Sequence, residues 1–278
     1  QTNLLHARKK FSLNITDEKL LDGIPESVLE TTAATARENG ETGWTITLDE
    51  PVYGPLLTYC SNRDLRQTIY MAYNSVCLNE GDDCNVQICK RLVNVRREIA
   101  QMLGYDTFAD YVLEERMAEN VQNVYRMFDK LIAHYREPAL QEVKNVEDFA
   151  RKTEGNDFEL KAWDFAYYSH KLKLSLFDID SEMLRPYFEL SKVKEGVFAL
   201  AKELYGISFS INPDIPVYAA GVTAYDVIDK NKSQLGVLYL DFHPRKGKQG
   251  GAWMTNYSPQ YINGKTNVRP YVAVVMNF

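Results

Sequence analysis

The stretch Leu235 to Met254, L-G-V-L-Y-L-D-F-H-P-R-K-G-K-Q-G-G-A-W-M, decides how the chain is read. Its first half alternates and branches like a strand, its middle is a basic Pro/Gly turn, and its second half resumes a short apolar strand. That pattern predicts a β-hairpin. A lone hairpin is marginally stable in water, so it must lie against helices or gain strands, for which residues 225–228 and 271–275 are the candidates. The pair Gly250-Gly251 strips side chains from one strand, which suits a close approach of another backbone, as when an extended peptide adds itself as a further strand. The alternative is that these glycines only serve the turn.

Outward from this stretch, the preceding chain reads as helical. Residues 15–21 predict a short helix ending at Gly23, and Pro25 opens another that stops at Gly40. Residues 44–48 alternate like an isolated strand. Ser61-Asn62-Arg63-Asp64 offers a hydroxyl cap with an acid three residues on, opening a helix with Leu65, Ile69, Tyr70 and Tyr73 on one face. From Val86, residues Ile88, Leu92, Val95, Ile99 and Leu103 recur at three to four and predict a helix that packs one face before Gly104. Thr107 and Asn120 start two more, the second long and bent at Pro138. Residues 162–176 and 191–205 complete the set, the last closed by Gly206. Beyond it, β-branched and aromatic residues predict strands at Val217, 225–228, 235–242, 251–254 and 271–275. The expected fold is therefore mainly α: a helical shell over residues 1–205, with a small antiparallel β-sheet over residues 206–278.

Composition narrows the function. The chain has 278 residues, 45% hydrophobic and 25% charged, with a net charge of -6, an ordinary globular balance. The acidity and the absence of clustered Lys and Arg argue against nucleic acid, whose phosphates must be neutralised by cations. No apolar run reaches eighteen residues and no signal-peptide pattern opens the chain, so neither a membrane span nor a leader is read. Cys60, Cys77, Cys84 and Cys89 have no C-x-x-C spacing and are expected as free thiols. His6, His134, His170 and His243 begin no H-E-x-x-H, and no G-x-S-x-G elbow is present. The turn Lys246 to Gly251 lacks the closing Lys-Ser/Thr of a phosphate cradle and runs into a strand. Glu114, Glu115, Asp164 and Asp241 supply carboxylates for acid–base work, with no spacing that pairs them.

Several motifs together carry a resemblance. Beside the G-G-A-W-M ending stand A-W-D-F-A-Y-Y at 162–168, L-R-P-Y-F-E-L at 184–190, L-Y-G-I-S-F at 204–209 and D-I-P-V-Y at 214–218. In this order they resemble the thimet-oligopeptidase-like zinc metallopeptidases, the oligopeptidase A and peptidyl-dipeptidase group, over effectively the whole chain. The resemblance implies hydrolysis of short, unstructured peptides by a zinc-bound water. In that family a helix bearing H-E-x-x-H supplies two zinc ligands and the general base, and a glutamate of the next helix supplies the third ligand. Both follow a strand like the one ending at Asn277-Phe278, so the chain is expected to be an internal fragment whose own residues include no catalytic or metal ligand, zinc belonging to the full-length parent.

What the resemblance places here is a wall of the substrate channel, with Gly250, Gly251 and Ala252 exposing main-chain groups to an extended peptide. The thiols and missing leader imply a cytoplasmic setting, with the periplasm kept open because the native N-terminus is expected upstream. A competing reading from another class is a non-catalytic helical module that holds extended peptides by strand addition and never has a metal.

Overall fold

The structure, a computed structural model, describes residues 2–245 and 247–278; Lys246 of the basic turn lies outside them. The chain divides into two compact units, one reaching to Leu48 and resuming over Pro55–Phe177, the other Asp49–Gly54 with Asp178–Phe278.

In the first unit α1 (Thr2–Lys10) is followed by β1 (Leu13–Ile15), α2 (Glu26–Glu38) and β2 (Trp44–Ile46). The expected helix at 15–21 is corrected here. Ile15 pairs with Trp44 in a two-stranded antiparallel ladder, and only Glu18–Leu21 turns, as a 3-10 helix. The strand pairing is contributed by residues thirty positions away, so it outweighs the local helical pattern. Next come α3 (Glu50–Tyr59), whose first turn belongs to the other unit, and α4 (Arg63–Asn74), α5 (Val86–Met102), α6 (Phe108–Leu113), α7 (Val121–Glu154) and α8 (Phe165–Phe177).

The caps explain the starts. Thr107 accepts from the Asp110 N–H and Asn120 from the Asn123 N–H, each satisfying an orphan donor of the first turn. At α4 the cap is Asn62, which accepts from the Leu65 N–H, rather than the Ser61 hydroxyl, which donates to Asp22 Oδ2 at 2.8 Å.

The core of the first unit is made by Leu21, Ile24, Val28, Ile46, Leu56 and Ile69, with a second cluster of Val146, Ala150, Tyr167 and Tyr168 between α7 and α8. The apolar stripe of α5 is not part of either. Ile88, Leu92 and Leu103 remain 55%, 46% and 54% exposed, so the expectation that this face packs is not met among the described residues.

The second unit carries α9 (Ser181–Leu184), α10 (Leu190–Tyr205), β3 (Ser208–Ile211), β4 (Thr223–Ile228), β5 (Gln234–Asp241), β6 (Trp253–Ser258), β7 (Tyr261–Asn263), β8 (Thr266–Val268) and β9 (Tyr271–Val275). Gly206 ends α10 at φ 69°, the left-handed cap for which glycine is suited. The Phe198 ring on α10 stacks on Phe209 of β3 at 4.1 Å and meets Tyr225 of β4 edge-on, fixing the helix against one face of the sheet.

The main sheet has the order β3-β4-β5-β9-β6, with β7 and β8 forming a separate hairpin. This corrects the central sequence expectation. The two halves of the Leu235–Met254 stretch do not pair with each other, because β9 lies between them, parallel to β5 and antiparallel to β6. The large sheet is thus mixed rather than antiparallel. The eleven-residue connection 242–252 is far longer than a tight hairpin loop, which leaves room for a third strand. Gly236 makes the insertion possible, since a Cβ there would sit 2.9 Å from the Pro270 carbonyl oxygen, whose acceptor is used by the Val237 N–H. No strand forms at Val217, which lies in the loop before β4. The other face of the sheet buries Val222, Ala224, Val237, Tyr239, Ala273 and Val275, with Trp253 packed at its margin. The fold remains mainly α, as expected.

Candidate functional site

The connection between β5 and β6 is held from inside by one carboxylate. Asp241, the last residue of β5, is 3% exposed. Arg245 grips it with both terminal nitrogens, at 2.7 and 2.9 Å, while the Tyr218 hydroxyl donates to Oδ2 at 3.0 Å. The Lys248 ammonium donates to Asp241 Oδ1 at 2.9 Å and to the carbonyls of Asp241, His243 and Met276. Burial pushes the Asp241 carboxyl up, but the hydrogen bonds from Arg245, Lys248 and Tyr218 outweigh it and bring it down to about 2. Burial, with bonds to Tyr257 and Asp241, pushes the Tyr218 phenol well above its ordinary range. The carboxylate is therefore a fixed anion, and Arg245 and Lys248 turn inward to it. Lys248 is used up by four internal acceptors, which removes the cation a phosphate cradle would need.

What the inward turn leaves outside is the run Gly250-Gly251-Ala252, all three residues exposed. An added Cβ at Gly250 or Gly251 would meet nothing within 4 Å. No backbone of the described residues presses on them, so crowding within the chain is not the reason for two glycines. Gly251 has φ +96°, which side chains rarely adopt, and the turn accounts for that one. The Asn277 amide donates to the carbonyls of Gln249 and Gly251 at 3.1 and 2.7 Å, fastening the run to the end of β9. From Ala252 the chain enters β6, the sheet's edge strand, paired on its β9 side only among the described residues.

The other carboxylates read in the sequence are not assembled into an acid–base pair. Asp164 belongs to the first unit and is fully buried between Arg63 and Arg66, whose guanidinium nitrogens approach to 2.6 and 2.9 Å. Burial raises its carboxyl, and the bonds from Arg63 and Arg66 more than reverse that, leaving it below the usual range. Glu114 accepts from the Tyr105 hydroxyl on an exposed surface.

The histidines are equally dispersed. His6 meets Asp83 at 2.8 Å, His134 contacts the Lys130 carbonyl one turn back on α7, and His170 lies edge-on to Tyr59. All four cysteines are free thiols. Among the described residues, no three His, Cys, Asp or Glu side chains come together as a metal site, so the donor set does not fit zinc. No described helix is long and apolar enough to cross a membrane.

Sequence reasoning missed the Asp241 cluster and a group of tyrosines, Tyr218, Tyr239, Tyr257 and Tyr271, that line one hollow. The D-F-H-P-R spacing, which sets Asp241 and Arg245 four apart, could have signalled the first. The second depends on strand order and had no local signal.

The second unit thus presents an edge strand entered through an open glycine run on a mixed sheet. The model of Peptidase family M3 matches residues 56–278, and the chain belongs to that family. It is 37% identical to oligopeptidase A of Escherichia coli strain K12, over 99% of this chain and 41% of that protein. It is 32% identical to the dipeptidyl carboxypeptidase of the same strain, over 99% of the chain and 40% of that protein. The organellar oligopeptidase A of Arabidopsis thaliana is 36% identical over 91% of the chain and 33% of its own length. The chain thus spans about two fifths or less of the relatives it matches.

Proposed function

We propose that this chain is the substrate-wall portion of a zinc metallopeptidase that hydrolyses short oligopeptides in the cytoplasm. On this reading the helical region 1–205 and the sheet region 206–278 are two parts of one larger peptidase domain. Gly250, Gly251 and Ala252, continuing into the free edge of β6, receive the peptide as an added strand, so that recognition rests on main-chain hydrogen bonds and tolerates many sequences. The carrying observation is that open edge, in a chain of a peptidase family. The zinc ligands and the general base belong to the parent outside these residues; in the parent the metal would polarise the scissile carbonyl and activate a water.

Two measurements test this. The 278-residue chain alone should leave a quenched fluorescent peptide uncut, while the parent cleaves it in a chelator-sensitive way; chelator-sensitive cleavage by the chain alone would overturn the division of labour. The chain should also bind capped extended peptides. Methylating alternate peptide nitrogens, which removes N–H donors and keeps the side chains, should weaken that binding on one alternation far more than on the other. Equal affinity for both alternations would rule out strand addition. A parent reading frame without an H-E-x-x-H would favour the non-catalytic binding module.

A further inference from the structure

The tyrosine hollow lies on the sheet face that carries Trp253 and Thr255, and its rim belongs to β6. Tyr257 and Ser258 come from that strand, Tyr239 from β5, Tyr271 from β9 and Tyr218 from the loop before β4. The rings of Tyr218, Tyr239 and Tyr257 stand 6.0 to 6.3 Å apart in tilted or edge-to-face pairs. They brace one another and leave a concave surface bounding a cavity of about 390 Å³, within the range of about 300–1,000 Å³ usual for small-molecule sites.

Tyr257 reaches this position through a bulge. Asn256 opposes Val272 and Ser258 opposes Tyr271, so Tyr257 is the extra residue of the ladder, a device that re-aims a side chain. Three of the four phenolic ends are already engaged, the Tyr218 hydroxyl with Asp241 and Tyr257 and the Tyr239 hydroxyl with the Pro216 carbonyl at 3.5 Å. What faces the hollow is mostly ring carbon.

We infer that this hollow is a side-chain subsite for an uncharged aromatic or branched aliphatic residue of the peptide held on β6. The inference rests on the strand-addition reading above. A guest strand pairs about 4.8 Å from its neighbour and places alternate side chains on one face. A guest residue opposite the bulge therefore sets its side chain beside Tyr257, within the cross-strand distance of about 5 Å at which side chains interact. Charge selects against a cation: the Arg245 guanidinium already lies 5.6 Å from the Tyr218 ring centre, and Arg245 and Lys248 outnumber Asp241 behind the wall. A carboxylate would lose its water against a lining that is mostly ring carbon. An apolar group meets neither penalty and is rewarded for the area it buries.

The test uses the 278-residue chain and capped alanine-based hexapeptides carrying a single Phe, Leu, Lys or Glu, with the all-alanine peptide as reference. Dissociation constants are measured by anisotropy, and N-acetyl-phenylalaninamide is titrated alone while the tyrosine ring signals are followed by NMR. The Phe and Leu peptides should bind about tenfold tighter than the reference, and the Lys and Glu peptides no tighter. Tyr257→Ala truncates a ring that is 56% exposed, so the fold survives. It should erase the preference for Phe and Leu over the reference peptide, while Tyr257→Phe keeps it. Should all peptides bind alike and the amide leave the tyrosine signals unmoved, the subsite is refuted and strand addition stands. If no peptide binds but the amide shifts those signals in the wild type and not in Tyr257→Ala, strand addition fails and the apolar site stands. Tightest binding by the Lys peptide would overturn the assignment outright.

Discussion

Each compact unit of this chain buries one carboxylate between two cations, and the two arrangements do opposite jobs. Asp164 is reached by Arg63 and Arg66 across about a hundred residues of sequence, and Arg66 also donates to the carbonyls of Cys60 and Ser61. It ties the start of α4 to the start of α8. Asp241 is reached from four and seven residues away, by Arg245 and Lys248. It shapes one turn and thereby decides which backbone faces outward. The first cluster is a cross-tie of the fold and the second a mould for a surface, so damage to them should differ in extent and in place.

The largest effect is expected at the cross-tie. Asp164→Ala leaves Arg66, 1% exposed, without its counter-charge and should lower stability by about 3–5 kcal/mol, read from urea unfolding. Combining Asp164→Leu with Arg66→Met should restore most of the loss, since a matched apolar pair removes both buried charges together. Failure of that rescue would mean that the guanidinium's carbonyl contacts, and not the ion pair, hold the two helix starts.

Lys248→Met comes next. It takes the donor from four acceptors and should cost about 3 kcal/mol, with faster amide exchange confined to residues 241–252 and 276–278. A loss as large as that of Asp164→Ala, spread over the whole second unit, would erase the distinction between tie and mould.

The pH response sharpens it further. The Asp241 carboxyl is lowered to about 2 in the folded chain from an ordinary 3.8. Its contribution, about 2 kcal/mol, is therefore present in full above pH 4 and lost as pH falls toward 2. Asp241→Asn should flatten that part of the curve and leave the part due to Asp164 in place. The smallest effect belongs to Tyr218→Phe, which removes one bond to Asp241, with an expected cost of about 1 kcal/mol; an unchanged midpoint would show that Arg245 and Lys248 suffice to hold the carboxylate.

How much of this was legible depends on how local the cause was. The starts at Thr107 and Asn120 and the glycine stop at 206 were read correctly because a cap acts within one turn of its own residue. Ile15 was misread because its partner, Trp44, lies in another part of the sequence. The hairpin failed for the same reason on a larger scale: alternation identifies strands, but only the complete sheet reveals that β9 separates β5 from β6. On α5 the periodicity was correct and the burial was not, since a stripe such as Ile88, Leu92 and Leu103 says that a face can pack without naming the partner. Of the site, the glycine run was visible and its open surroundings were not. The tyrosines were invisible as a group, because four residues scattered over 218–271 meet only through strand order.

The insertion of β9 has a consequence for synthesis. Among the described residues β6 has no ladder partner but β9, and β9 docks on β5 with Val237 opposite Tyr271, so this pairing closes a loop of more than thirty residues. Such distant pairings form late, after the loop entropy has been met. A nascent chain still on the ribosome before residue 271 carries the β6 sequence with nothing to align it. The edge that would take a guest is therefore among the last features to mature, and until β9 docks the edge of β5, already paired with β4, stands open in its place.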